Sequence, residues 1–74
     1  MTLNMYAVFD DLATSYQFFG CFVNDAVARR SFDISISGEG VPGSDLSLYR
    51  VGAFDTVTGK LETDFDFLKR GESK

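Results

Sequence analysis

The chain has 74 residues, with seven basic and eleven acidic side chains, for a net charge of −4. That is one domain with no room for a second core, and a domain this short buries only about 60–65% of its unfolded surface. A single cysteine excludes an intramolecular disulfide, the lack of histidine leaves only scattered carboxylates for a metal, and the acidic balance opposes general polyanion binding.

No apolar run approaches the ~20 residues of a membrane span. Met1-Thr2-Leu3-Asn4 lacks the basic segment that opens a signal peptide. With a lone thiol, these features point to a soluble protein of a reducing cytoplasm.

Taken in order, Asn4 to Asp10 reads as a first strand. Met5, Ala7 and Phe9 alternate with Tyr6 and Val8, so both of its faces are apolar. Tyr16 to Val23 is the most hydrophobic window and reads as a second strand, with Gly20 marking a bulge or a close backbone approach. Its aromatic residues Tyr16, Phe18, Phe19 and Phe22 suit core packing first, with a stacking platform for bases or an anchor for a partner as the alternative. Cys21 reads as a small buried hydrophobe.

Asn24 is a good helix N-cap, and Asp25 suits the positive end of the helix dipole. Val27 with Ile34, and Ala28 with Phe32, give an apolar stripe, so the sequence predicts a helix to about Ser35. Phe32 to Ser37 also alternates with period two, which competes with that reading. Gly38 to Ser44, with three glycines and the only proline, reads as a flexible linker.

Asp45 to Leu61 carries the strongest signal in the chain: a strand, a turn over Asp55-Thr56-Val57-Thr58-Gly59, and a return strand. Leu46, Leu48 and Phe54 are expected on one side, with Tyr49, Val51 and Ala53 on the other. Asp55 can accept from backbone N–H groups two or three residues on, Gly59 can take a positive φ, and Thr58 lies between them. Lys60 to Asp64 is the return strand, and Phe65 to Leu68 extends it or folds over an edge. Lys69 to Lys74 reads as a fraying polar tail.

The basic pairs Arg29-Arg30 and Lys69-Arg70 read as solvated surface, or as a local patch if folding brings them together. Asp10, Asp11, Asp55, Asp64 and Asp66 have no histidine or nucleophile beside them, so catalysis is not expected of them, and Asp10 and Asp55, each after a Phe at a strand end, are expected in an Asx turn or helix cap. The glycines of 38–43 precede a strand, unlike a phosphate-binding loop. No catalytic residue, cofactor or metal site is expected.

Three stretches carry a resemblance: Y-A-V-F-D, then F-F-G-C-F-V-N-D-A-V-A-R-R-S-F, then D-L-S-L-Y-R-V-G-A-F-D-T-V-T-G-K-L. Together the chain resembles the small nonstructural protein of gokushovirus-type microviruses, bacteriophages with single-stranded DNA genomes. The matching positions are Tyr6, Val8 and Asp10; Asn24, Ala28, Arg30 and Phe32; and Tyr49, Gly52, Phe54, Asp55, Thr58 and Gly59. The resemblance covers about residues 5 to 70. It implies a protein of the infected host's bacterial cytoplasm, absent from the virion shell, that serves single-stranded DNA genome replication or packaging. It brings no catalytic residues.

The expected fold is α+β: a small antiparallel sheet of three to four strands with one helix on one face, in ββαββ-like order. The expected function is a non-enzymatic phage accessory role through a viral or host protein partner, with single-stranded DNA left open as a second ligand. Two alternatives stand beside it. One is a direct single-stranded DNA binder that stacks bases on Tyr16, Phe18, Phe19 and Phe22 and holds the backbone with Arg29, Arg30, Lys69 and Arg70; the other is an acidic inhibitor of a host defence enzyme. One helix covers one face of a sheet whose strands are apolar on both. A homodimer, paired face to face or edge to edge through the hairpin, is therefore expected, unless Phe65 to Leu68 folds back as the cover.

Overall fold

The computed structural model describes residues 1–38 and 45–71. In chain order the elements are β1 (Thr2–Asp10), β2 (Ser15–Phe22), α1 (Asp25–Gly38), β3 (Leu46–Asp55) and β4 (Leu61–Arg70). The class is α+β. All four strands join one antiparallel sheet in the spatial order β2-β1-β3-β4, so α1 makes the crossing from the β2 edge back to β3 beside β1.

The helix starts where its cap predicts. Asn24 Oδ1 accepts from the Val27 N–H at 2.9 Å, satisfying a donor that the first turn leaves free. It runs to Gly38, so the alternation of Phe32 to Ser37 yields to the helical period. Gly38 therefore ends the helix rather than opening a linker, and 39–44 lie outside the described residues.

Ala28 and Phe32 are buried against Tyr6 of β1 and Leu48 of β3, with Val8, Phe19, Phe22, Ile36, Leu46 and Leu68 around them. Ile34 is exposed. At 100° per residue it lies on the far side of the cylinder from Phe32, whereas Ile36 is one turn on from it and joins the core.

The turn after β3 forms as the sequence predicts. Asp55 Oδ1 accepts from Val57 N–H at 2.8 Å and Thr58 N–H at 3.3 Å. Gly59, at φ 75°, donates to the Asp55 carbonyl at 2.8 Å, and Thr58 Oγ1 accepts from Lys60 N–H at 3.3 Å. The two backbone donors hold the Asp55 carboxyl below its usual range. Asp10 makes the same device after β1, accepting from Leu12 and Ala13.

β4 runs to Arg70, past the point where a fraying tail was expected at Lys69, because both terminal side chains are engaged. Lys69 Nζ reaches Asp33 of the helix at 2.8 Å, and Arg70 donates to Ser47 Oγ at 3.1 Å and pairs with Asp11. Residues 72–74 lie outside the described residues.

Bulges interrupt the strand alternation at two places in the pairings of β1, one expected and one not. The β1–β2 register shifts between Tyr6 and Ala7, which pair with Gly20 and Phe18, so Phe19 is the extra residue; the bulge predicted at Gly20 is present. The β1–β3 register shifts between Met5 and Tyr6, paired with Gly52 and Arg50, leaving Val51 as the extra residue. The alternation past Val51 is thereby inverted. Phe54 shares a face with Gly52, opposite Leu46 and Leu48.

Candidate interaction surface

The sheet has two unlike faces. On the helix side, Arg50 is the centre of an ion-pair cluster. Its Nη1 lies 2.7 Å from Asp25 Oδ2 at the start of α1, its Nε lies 2.9 Å from Asp64 Oδ2, and it pairs with Asp66. The Tyr6 hydroxyl donates to the other Asp25 oxygen at 2.7 Å. This network ties the helix N-terminus to β1, β3 and β4. It is where Asp64 and Asp66 are used, as partners of one guanidinium.

Burial, followed by the hydrogen bond to Asp25, pushes the Tyr6 hydroxyl up to about 12. The folded state therefore keeps a proton that the unfolded chain releases near the ordinary value of about 10. Stability from Tyr6 is complete below pH 10 and is lost as pH rises toward 12. Denaturant midpoints measured from pH 9 to 12 are expected to fall more steeply for the native chain than for Tyr6→Phe; parallel curves would contradict the assignment.

The helix-free face is aromatic. Phe9 and Tyr16 pair across β1–β2 with centroids 4.7 Å apart. Tyr16 also reaches Tyr49 at 5.5 Å and Phe65 at 5.7 Å. Tyr49 stacks on Phe65 at 4.9 Å and meets Phe67 at 5.5 Å. Phe18, paired with Ala7, shares the face by register. The rings of Tyr16, Phe18, Phe65 and Phe67 are 50–70% exposed. Among the described strand residues the register places no carboxylate on this face, and Arg70, already paired with Asp11, is its one cation.

The residues singled out in the sequence do not converge. Tyr16 and Phe18 lie on the aromatic face. Phe22 packs toward Tyr6 at 5.8 Å, and Phe19 packs toward Phe32 at 6.2 Å, on the helix side. Arg29 and Arg30 are exposed on α1. Lys69 is held by Asp33, and Arg70 lies at a corner of the aromatic face. Cys21 is exposed rather than buried: its partner in the register is Met5, which points away from the helix.

Phe9, Tyr49, Phe65 and Phe67 were missed as surface residues. The D-F-D-F run at 64–67 held the signal, with rings on one face and acids on the other. On the helix side, a groove of about 200 Å³ lies among Val8, Gln17, Phe19, Phe32, Ile36 and Leu46. That is below the usual size of a small-molecule site.

Among the described residues the sheet has one charged face that carries the helix and one aromatic face, and comparison with known proteins supplies its lineage. The sequence matches the phage ORF5 protein family over residues 3–72. The chain belongs to the phage ORF5 protein family. The match takes in the helix and all of the sheet but Thr2, so the resemblance holds at the level of a small phage protein. No curated protein and no solved structure matches the chain. Among the described residues of this ORF5 family member, no helix is long and apolar enough to cross a membrane.

Proposed function

We propose that this ORF5 family member is a non-enzymatic phage accessory protein of the gokushovirus type. In this reading it acts in the host cytoplasm, in replication or packaging of a single-stranded DNA genome, by protein–protein association through the helix-free aromatic face. The observation that carries the reading is the composition of that face: five rings in mutual contact with Phe18 beside them, of which Phe18, Phe65 and Phe67 are more than half exposed, and among the described strand residues no carboxylate and a single, already paired cation. Exposed apolar surface of this extent marks an interaction site.

Infection with phage carrying Phe65→Ser and Phe67→Ser tests the reading. Encapsidated single-stranded DNA is expected to fall at least tenfold while the variant protein keeps the native circular dichroism. An unchanged yield would overturn the role of the face.

Direct single-stranded DNA binding is the second reading, favoured by the same rings, since bases stack on aromatic side chains presented by a sheet. The charges oppose it. Backbone phosphates need clustered cations, and Arg29, Arg30, Lys69 and Arg70 are split between the helix surface, a helix–strand ion pair and one corner of the face. Fluorescence anisotropy with a labelled oligonucleotide at low salt is expected to show no binding. Micromolar affinity that weakens as salt is added would favour the nucleic-acid reading instead.

A further inference from the structure

We propose that the first occupant of the aromatic face is a second copy of this chain, the two sheets packing face to face about a two-fold axis. The inference rests on the reading that the face works by protein association, and it names the partner.

The core explains why a copy is needed. Among the described residues only Tyr6, Ala7, Ala28, Phe32 and Leu48 are buried hydrophobics. A domain of this length without a disulfide gains most by burying its remaining apolar face against another surface. The segment that could have served as an internal cover, Phe65 to Leu68, is part of β4 and adds Phe65 and Phe67 to the bare face.

The area is of the right order. The four most exposed rings, each offering about 200 Å², leave on the order of 450–500 Å² open. Leu61 and the flanking apolar positions bring each copy toward the roughly 800 Å² per partner of a standard interface.

Charge fits a copy better than an unlike partner. Asp25, Asp64 and Asp66 are on the helix side around Arg50, and Lys69 and Asp33 pair there too. Face-to-face packing turns these groups of both copies outward, where distance and salt weaken the repulsion between two chains of net charge −4. An apolar face whose one cation, Arg70, sits at a corner already paired with Asp11 is also complementary to itself, which a two-fold interface requires. The product is a helix–sheet–sheet–helix sandwich with its inner sheets about 10 Å apart.

Sedimentation equilibrium over a wide concentration range tests this. The native chain is expected to reach twice its 8.2 kDa mass. Phe18→Lys, at a ring 70% exposed, and the double variant Phe65→Ser with Phe67→Ser are expected to stay at 8.2 kDa with native circular dichroism. A native chain that remains monomeric at every concentration would overturn the proposal, as would face variants that still form dimers, since these would place the contact at a sheet edge. The outcome is separable from that of the functional reading. A monomeric native chain whose face variants still lower encapsidated DNA leaves the reading standing with another protein on the face. A dimer whose face variants package normally leaves the pairing standing without the reading.

Discussion

Phe32→Ala is expected to cost about 3–5 kcal/mol, close to the whole stability of a domain this size, for which roughly 4–11 kcal/mol is typical. Phe32 is 1% exposed, faces Phe19 edge-on at 6.2 Å, and with Ala28 forms the helix contribution to a four-residue buried cluster. Truncation removes a ring for which no neighbour can substitute without moving the helix, so a cavity remains beside Tyr6 and Leu48. Arg29→Ala, three residues earlier and exposed, is expected within about 0.5 kcal/mol of the native chain. Urea unfolding followed by circular dichroism measures both. Equal tolerance of the two would mean that α1 does not pack as described.

Gly52→Ala is expected to destabilise by about 3 kcal/mol, the upper end of overpacking costs, although it adds a single methyl group. A Cβ at this position would lie 2.5 Å from the Glu62 carbonyl oxygen and 2.9 Å from Met5 Cε. The Met5 side chain can rotate away; the carbonyl belongs to the β4 backbone, so relief requires β3 and β4 to shift. Gly52 adjoins the bulge at Val51, and the hydrogen-bonded ladder on either side resists that movement. Gly59→Ala is the useful contrast. Its Cβ would meet nothing within 4 Å, and its cost comes only from the positive φ. A Gly52→Ala chain as stable as the native one would contradict the close approach of β3 and β4.

Much of the fold was legible because local chemistry and tertiary packing agree. The Asn24 cap, the Asp55–Gly59 turn, the Gly20 bulge and the apolar strand windows each need only neighbours in sequence. What could not be read depends on distant partners. Whether Phe32 to Ser37 is helix or strand is decided by the sheet that Phe32 and Ile36 pack against, since the sequence carries both periods. The face of Phe54 is decided by a bulge at Val51, which alternation does not record. Cys21 looked buried because its window is apolar throughout, yet the residues on one side of that window lie on an uncovered face.

The candidate site was legible in part. Tyr16 and Phe18 came from the aromatic window, but Phe19 and Phe22 of the same window turn to the helix, because a strand sends neighbouring side chains to opposite faces and the bulge changes which. Tyr49 was visible as a strand residue, and Phe65 and Phe67 lay in a segment that could extend the return strand or fold over an edge. Their convergence with Tyr16 follows from the sheet order β2-β1-β3-β4, which no local signal states. The Arg50 cluster likewise draws carboxylates from 14 to 25 residues away.

The most direct measurement of whether the aromatic face is an interface is hydroxyl-radical footprinting of the native chain, dilute, concentrated, and in lysate from infected cells. Leu12 and Val57, 86% and 80% exposed in loops, serve as internal references. Phe18, Phe65 and Phe67 are expected to become several-fold less reactive in the concentrated or lysate samples while Leu12 and Val57 do not change. Rings that stay as reactive as in dilute solution under every condition would contradict it.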